Sequence, residues 1–484
     1  MNPVRSSHII EAILFSGACW YLSCGLVGQF WFLLWVAPIP ILLLSVRLSG
    51  KKTFLVSFIA YLIGRLSWLH YLLAVVPLLP AVLFTLLLPL VFAFIILAVR
   101  RIMIIAPFWI SVFAFPVFFS SYEFMLFLLS RDGTAGSIAY SQANCLPLIQ
   151  IASLTGILGI SFLVCFIPSS IACMIIGKKK RKEFNTLLLL FLSIIFATAI
   201  FGFIRIAKKP GQNGMSIGMM SINEKIYREP LASPDSLMDL KIANAYAANI
   251  AYLANRGANI VLIPEKALDL DRSAVTGIFL RAAKFNRVLL IVGCTITEGR
   301  QKKNMVVSIS PDGQIISRYQ KVNLYEGEVW DGYIPGKEIE MFNWDGLKVG
   351  VAICKDLDFQ QFIRKYGKAN AGILFVPAWD FTLDDWLHSR MAILRGVENG
   401  FSIVRNARLG RLTISDCRGK ILQDSNCANG NETYLLGRVP WSVNDSTFYA
   451  RTGDWFGWIN LLAAICLLLF IYRKRSISPA YYKS

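Results

Sequence analysis

Long apolar runs are the feature that most constrains how this chain of 484 residues can fold. A helix needs about 20 mostly apolar residues to cross the hydrocarbon core of a bilayer. Runs of that length follow one another up to Ile204, and another lies near the end of the chain. Charged residues make up only 16% of the chain, and one aqueous core could not bury so much apolar surface. We therefore predict a multi-span membrane protein, and disordered, collagen-like and coiled-coil chains are excluded.

Seven spans are predicted before a long polar segment, and an eighth after it. The run 9–46 is long enough for two spans with a turn at 25–29, and 54–99 is also double, with a break near Pro77 and Pro80. The other spans are expected at 102–129, 151–176, 185–204 and 456–472. A cleaved signal peptide is the alternative at the N-terminus, but further spans follow and the chain has no small-residue cleavage site there.

Basic residues predict the orientation of these spans. They cluster in alternate loops, at Arg47, Lys51 and Lys52, at Arg100 and Arg101, at 178–182 and at 473–475. The positive-inside rule places all four loops and both termini in the cytoplasm, and the polar segment on the other side. The excess of basic residues, which gives a net charge of +19, is then explained by the orientation of the spans, and we expect no nucleic-acid partner. The expected domains are 1–206, 207–455 and 456–484.

The polar segment alternates between buried-strand and helix patterns. Strands are predicted at 216–222, 259–263, 288–293, 305–309, 314–319, 347–353, 372–376, 402–404, 411–415 and 420–422. Helices are predicted at 240–255, 274–285, 359–366 and 386–398. Pro311-Asp312-Gly313 is a hairpin signal. This alternation predicts an α/β domain in which helices cover a mixed sheet.

Three predicted strand ends carry reactive side chains: Glu265, Lys321 and Cys354. A cysteine can attack an acyl group as a thiolate, a carboxylate can take the thiol proton, and a lysine can stabilise the oxyanion. Each residue alone is more often structural, since a cysteine after an apolar strand usually packs in a core. Together the three form a sufficient set for acyl transfer.

These residues resemble the Glu–Lys–Cys triad of the nitrilase superfamily. The resemblance rests on Pro264-Glu265, Lys321-x-x-Leu324, the strand and loop 350–356, Ile334-Pro335-Gly336 and the stretch 390–407. It covers the whole polar segment and implies an αββα sandwich. A nitrilase-like domain between seven spans and an eighth is similar to the layout of the apolipoprotein N-acyltransferase family. Residues 140–163 and 31–44 resemble membrane segments of that family.

The resemblance implies a two-step acyl transfer in a bacterial inner membrane, with the catalytic domain periplasmic. Cys354 would take an acyl chain from a phospholipid as a thioester, Glu265 would act as base and then acid, and Lys321 would stabilise the oxyanion. The diacylglyceryl-modified N-terminal cysteine of a lipoprotein would accept the chain. No metal or cofactor is required. A second glutamate usually accompanies this triad, and Glu328 and Glu326 are both candidates.

The chain departs from the family pattern around the triad. It has Lys355-Asp356 after the cysteine, as in soluble nitrilase-type amidases, and Ile263-Pro264-Glu265-Lys266 at the base. The segments 221–223 and 378–381 also differ. The added lysines, Lys266 and Lys355, predict more positive charge beside the thiol, which favours the thiolate. These departures leave the triad intact but leave the acceptor open.

Two alternatives to the transferase stay open. A membrane-tethered amidase would use the same triad with water as acceptor, and a non-enzymatic scaffold would keep only the fold. Trp379, Trp386 and His388 are candidates to line a lipid entrance, although packing accounts for them equally well. Cys417 and Cys427 flank a predicted hairpin in an oxidising compartment, so that a disulfide between them is an open question.

Overall fold

The computed structural model describes residues 4–23, 26, 30–178, 180–208, 214–228, 235–270, 273–440 and 446–474. The chain forms two compact units. The first contains Met1–Arg205 and Asp454–Ser484, and the second contains Ile206–Gly453.

The N-terminal part of the first unit is helical. Its helices are α1 (Ser6–Ser23), α2 (Ile39–Ser45), α3 (Gly50–Val75), α4 (Leu78–Ile105), α5 (Phe108–Leu129), α6 (Leu146–Ile149), α7 (Ala152–Thr155), α8 (Ile157–Gly177) and α9 (Arg181–Ala207). Two 3₁₀ helices, Trp31–Trp35 and Ile138–Asn144, join them.

The second unit alternates strands and helices. Its strands are β1 (Gly214–Ser221), β2 (Ile260–Ile263), β3 (Leu289–Glu298), β4 (Gln301–Ile309), β5 (Ile315–Gln320), β6 (Glu340–Trp344), β7 (Leu347–Val351), β8 (Ile373–Trp379), β9 (Ser402–Arg408), β10 (Arg411–Ser415), β11 (Ile421–Asn426) and β12 (Thr433–Pro440). Its helices are α10 (Lys225–Arg228), α11 (Asp235–Asn255), α12 (Ser273–Asn286), α13 (Glu326–Trp330), α14 (Gln360–Lys368), α15 (Asp385–Asn399) and α16 (Phe448–Thr452), with a 3₁₀ helix at Cys354–Asp358. Helix α17 (Trp455–Arg473) follows and belongs to the first unit.

Six helices in the described ranges are long and apolar enough to cross a bilayer: α3, α4, α5, α8, α9 and α17. The two spans predicted from 9–46 take a different form. The first is α1, and the second is a broken segment of the 3₁₀ helix Trp31–Trp35 followed by α2, because Pro38 and Pro40 interrupt regular helical hydrogen bonding. The turn predicted at 25–29 falls almost entirely outside the described residues.

The span predicted from residue 151 begins later than expected. Gly156 has a φ of 68°, which ends α7, and α8 starts at Ile157. A backbone in this left-handed region cannot continue a right-handed helix. The break predicted near Pro77 agrees with the structure, in which α3 ends at Val75 and α4 starts at Leu78.

The second unit is built on two six-stranded sheets, ordered β12-β1-β2-β3-β4-β5 and β11-β10-β9-β8-β7-β6. β1, β2 and β3 are parallel to one another, and so are β7, β8 and β9. Strands β6 and β12 were not predicted. Both lie in half-buried positions at or near the end of a sheet, where the apolar pattern is weak.

Alternation along the buried strands produces the layers of this unit. Ile260 and Leu262 of β2 pack in the core between the two sheets, whereas Val261 and Ile263 pack against α11 and α12. Successive side chains of a strand point to opposite faces, so a strand covered on both sides is apolar throughout. Helices α14 and α15 pack on the second sheet, which completes the αββα sandwich.

Gly293 allows the turn after β2 to lie close against β3. A Cβ built on Gly293 would lie 2.2 Å from the carbonyl oxygen of Pro264 and 2.8 Å from the Cα of Glu265. The backbone N–H of Ala267 also donates to the Gly293 carbonyl oxygen, at 3.0 Å. The turn that carries Glu265 therefore depends on the absence of a side chain at position 293.

We expect Gly293→Ala to displace this turn and to lower the free energy of unfolding by about 1–3 kcal/mol, since neither backbone segment can move freely. Thermal unfolding of the full chain in detergent would measure the loss. Gly277→Ala in α12 is the matched control, because its nearest contact is the flexible end of Arg281 at 3.2 Å. Equal melting temperatures for the two variants would contradict the prediction.

Candidate active site

The ends of three strands bring Glu265, Lys321 and Cys354 together. Glu265 follows β2 and Pro264, Lys321 follows β5, and Cys354 follows β7. β7 and β2 belong to different sheets, so that the site forms where the two sheets pack face to face. Glu265 and Lys321 are each only 2% exposed.

The ammonium group of Lys321 is the centre of the site. Its Nζ donates to Glu265 Oε1 at 2.7 Å and to Glu328 Oε2 at 2.8 Å. Burial alone would lower the pKa of Lys321, but Glu265, Glu328 and Cys354 together raise it well above its ordinary value. Lys321 therefore stays positively charged although it is buried.

Asn304 of β4 joins the two carboxylates and was not predicted from the sequence. Its Nδ2 donates to Glu265 Oε1 and to Glu328 Oε1, at 2.6 Å each. The backbone carbonyl oxygen of Asn304 accepts the backbone N–H of Lys321 at 2.9 Å. The only feature of the sequence that marks Asn304 is a single amide side chain in this strand, between the charged Lys303 and the apolar Met305.

The structure separates the two candidate second glutamates. Glu328 is buried, and α13 turns it towards Lys321, whereas Glu326 lies on the exposed side of the same short helix. Glu328 Oε2 also accepts the backbone N–H of Tyr325 at 3.0 Å. Burial would raise the pKa of Glu328, but Lys321 and Lys266 lower it to about 2. Glu328 is therefore a permanent anion of the site.

Cys354 opens a 3₁₀ helix with a backbone φ of 39°. Such a conformation is strained for a residue with a side chain, and strain of this kind concentrates at functional sites. The Sγ atom donates to the carbonyl oxygen of Trp379 at 3.8 Å. Glu265 and Lys321 both interact electrostatically with the thiol, which places the three predicted residues in one cluster.

Burial, rather than the added lysines, dominates the pKa of the Cys354 thiol, and the effect of those lysines on the thiolate stays a prediction. Burial raises the pKa of the Cys354 thiol well above its ordinary value, Glu265 and Asp380 raise it further, and Lys321 and Arg405 oppose them. Lys355 lies over the ring of Tyr325 at 5.8 Å, and Lys266 contacts Glu328 at 3.2 Å. The thiol is therefore protonated at rest, and a base must remove its proton.

Asp356 fixes the loop of Cys354 against the loop of Lys321. Its Oδ2 accepts the Tyr319 hydroxyl at 2.6 Å and the backbone N–H of Ile353 at 3.0 Å. Its Oδ1 accepts the backbone N–H of Asn323 at 2.8 Å and the Asn323 side chain at 3.0 Å. One buried carboxylate thus holds two of the three strand ends.

The candidate lining residues divide between the site and its surroundings. Trp379 lies beside the thiol through its carbonyl oxygen, and its ring lies 4.2 Å from the guanidinium of Arg408. The ring of Trp386 lies 5.5 Å from the guanidinium of Arg390. A role for these rings in lining a lipid entrance remains a prediction.

His388 contacts Asp384 at 3.3 Å and Asp380 at 3.5 Å. Burial would lower the pKa of His388, but the two carboxylates raise it to about 9. The three side chains lie close enough to hold a metal ion. The guanidinium of Arg405, however, donates to both oxygens of Asp380, which makes this an ion-pair network.

Cys417 and Cys427 are not joined by a disulfide in the structure. Cys427 is buried, and its Sγ donates to the carbonyl oxygens of Ala407, at 3.0 Å, and Gly410, at 3.3 Å. These bonds occupy the thiol, and the disulfide considered from the sequence is not formed.

Two family models match this chain. The model described as apolipoprotein N-acyltransferase N-terminal domain matches residues 16–170. The model described as carbon-nitrogen hydrolase matches residues 240–440, a range that contains Glu265, Lys321 and Cys354.

Similar proteins span both units. An apolipoprotein N-acyltransferase of Geobacter metallireducens is 25% identical over 401 residues, which cover 75% of each chain. Apolipoprotein N-acyltransferase 2 of Treponema denticola is 24% identical over 72% of this chain and 74% of its own. Among solved structures, a variant of a Nesterenkonia AN1 amidase from the nitrilase superfamily is 18% identical over 48% of this chain and 94% of its own, with a TM-score of 0.41.

We expect Asp356→Asn to lower turnover about 100-fold, because an amide cannot accept all four hydrogen bonds and the two loops would shift relative to each other. Turnover should fall far more than thermal stability. Steady-state acyl transfer and thermal unfolding would measure the two effects. Asp312→Asn, in the β4–β5 turn, is the control, and unchanged turnover in Asp356→Asn would contradict the positioning role.

We expect Glu265→Gln to separate thiol reactivity from catalysis. The Glu265 carboxylate raises the pKa of the Cys354 thiol, so its loss lowers that pKa and increases the thiolate fraction at a given pH. Alkylation of Cys354 by iodoacetamide at pH 8 should therefore become faster, while turnover falls about 100-fold or more because the base is missing. Slower alkylation in this variant would contradict the electrostatic assignment.

Proposed function

The chain belongs to the apolipoprotein N-acyltransferase family of the nitrilase superfamily, and we propose that it transfers a phospholipid acyl chain, through a thioester on Cys354, to lipoproteins. The proposed acceptor is the amino group of the N-terminal diacylglyceryl-cysteine. The observation that carries the proposal is the buried Lys321, which links Glu265 and Glu328 beside a protonated thiol.

In the first half-reaction, Glu265 takes the proton from the Cys354 thiol as sulfur attacks the ester carbonyl carbon. Within the described ranges no group donates to Glu265 Oε2, so that oxygen is open to accept this proton. The ammonium of Lys321 stabilises the oxyanion that forms. The carbon–oxygen bond of the ester then breaks, and Glu265 returns the proton to the lysophospholipid alcohol.

In the second half-reaction, the acceptor amine attacks the thioester carbonyl carbon. Glu265 takes one proton from the amine nitrogen, and Lys321 again stabilises the oxyanion. The carbon–sulfur bond breaks, and the proton passes from Glu265 to the sulfur of Cys354. Glu328 and Asn304 keep their positions in both halves, since they hold Lys321 and Glu265 through hydrogen bonds.

The membrane helices support lipid-linked substrates for this chemistry. Six apolar helices give the chain a multi-pass membrane unit, which the hydrolysis of soluble amides does not require. The four clusters of basic residues in alternate loops favour an extracytoplasmic catalytic unit and cytoplasmic termini. Donor and acceptor held in one membrane meet at high effective concentration.

Hydrolysis is the second candidate function. Lys355-Asp356 after the cysteine resembles soluble amidases, and a 2-oxoglutaramate amidase of Bacillus subtilis is 28% identical over 148 residues. The same thioester would then be released by water. Both functions pass through an acyl group on Cys354; they differ in the acceptor, and an amidase also takes its acyl group from an amide.

We expect the purified full chain in mixed phospholipid–detergent micelles to gain the mass of one acyl group, and hydroxylamine should remove it. The Cys354→Ala variant should gain no acyl mass, because it lacks the sulfur atom that forms the thioester. Cys466→Ala should keep the adduct, since Cys466 is an exposed thiol outside the site. Intact-mass spectrometry would measure each case.

A synthetic peptide with an N-terminal diacylglyceryl-cysteine then identifies the acceptor. Loss of the adduct with gain of one acyl group on the peptide supports the transferase. Release of free fatty acid at the same rate with and without the peptide supports the hydrolase. An adduct that persists in Cys354→Ala would contradict both.

A further inference from the structure

We propose that Lys266 is a positioning residue that neutralises Glu328 and thereby leaves the charge of Lys321 available to the Cys354 thiol. This role rests on the proposed function, because it concerns the same acyl transfer. Lys266 acts on the thiol indirectly, through the Glu328 carboxylate that it shares with Lys321.

The shared carboxylate has one ammonium group on each oxygen. Lys266 Nζ lies 3.2 Å from Glu328 Oε1, and Lys321 Nζ lies 2.8 Å from Glu328 Oε2. The ammonium of Lys266 also lies over the ring of Trp379, at 5.1 Å, and over the ring of Tyr333, at 5.3 Å. Aromatic faces attract cations, so the two rings hold this ammonium against Glu328.

Counting charges indicates why the site needs a second lysine. Lys321 alone faces two carboxylates, Glu265 and Glu328, which would leave one excess negative charge at a buried site. Sulfur must become an anion there, and excess negative charge opposes this strongly at low dielectric. Lys266 brings the sum of these four groups to zero.

The balance persists during acylation. When Glu265 takes the thiol proton, the thiolate replaces the Glu265 carboxylate as one of two anions, and the two ammonium groups remain. Without Lys266, Lys321 would have to neutralise both Glu328 and the thiolate. The second ammonium therefore matters most at the moment when the sulfur carries charge.

Two further ion pairs lie near the thiol. Asp380 and Arg405 face Cys354 as an ion pair, with His388 and Asp384 beside Asp380. Arg408, over the ring of Trp379, forms an ion pair with Glu224. Lys302 lies over the outer part of the cluster, 5.9 Å from the ring of Tyr333. Lys266 is the cation that contacts Glu328 besides Lys321 in the described ranges.

The experiment follows the alkylation of Cys354 by iodoacetamide from pH 6 to pH 10, using the full chain in detergent micelles and peptide mass spectrometry. Lys266→Met should slow alkylation at pH 8 about tenfold and shift the profile to higher pH by about one unit. Lys266→Arg should stay close to the original chain because it keeps the charge. Glu328→Gln should shift the profile to lower pH.

The double variant Lys266→Met with Glu328→Gln distinguishes charge from structure. It removes one cation and one anion, so its profile should return to within about threefold of the original. Lys303→Met is the matched control, since Lys303 also pairs with a glutamate, Glu298, and its side chain is 22% exposed against 18% for Lys266. Its profile should not move.

Three results would overturn the role of Lys266: an unshifted Lys266→Met profile, a Lys266→Arg variant as slow as Lys266→Met, or a double variant as slow as Lys266→Met. If Lys266→Met does not fold, Glu328→Gln and the double variant still decide the question. Acyl-adduct formation is measured in parallel. A shifted profile without any adduct contradicts the proposed function alone, and an adduct with an unshifted profile contradicts the role of Lys266 alone.

Discussion

The buried ion cluster around Lys321 is the interaction on which the site depends. An ammonium group away from water is costly unless it is paired and hydrogen-bonded. Lys321 meets this condition through Glu265 and Glu328, and Asn304 fixes both carboxylates from a third direction. Removing any one of the three charged groups would change the charge balance of this buried site, and removing Asn304 would break a hydrogen bond to each carboxylate. The cluster therefore holds the turn after β2, strand β4 and helix α13 in one arrangement.

The fold supplies this cluster through strand ends that are far apart in sequence. Face-to-face packing of the two sheets brings the end of β7 to the end of β2, and Asp356 ties the Cys354 loop to the loop after β5. Asn304 lies on β4, Glu328 on α13 and Asp356 on the 3₁₀ helix after β7, and each of the three reactive side chains lies shortly after the end of a strand. Precision at the thiol thus comes from the sandwich core.

Sequence reasoning found the groups with strong local signals. Glu265 and Cys354 each follow an apolar strand, and Lys321 follows a predicted hairpin. The strand and helix periods predicted an α/β domain, and the family resemblance implied the αββα sandwich. It could not choose between Glu328 and Glu326, because one turn of a five-residue helix decides which side chain faces inward. Asn304 was not predicted, because the sequence around one amide side chain in a strand does not indicate which distant residues it contacts in the fold. The protonation state of the thiol could not be predicted from the nearby lysines alone, since burial raises its pKa and burial depends on the assembled core.

The order of the helices has a consequence for how the chain is made. Helix α17 packs with α4 and α5 in the first unit, and the ring of Trp458 meets that of Phe124 at 5.0 Å. A ribosome completes α17 only after it has synthesised the entire second unit. The membrane helix bundle therefore stays open on the α5 side while roughly 250 residues emerge and fold. Phe124 therefore gains its contact with Trp458 only after the second unit has been synthesised.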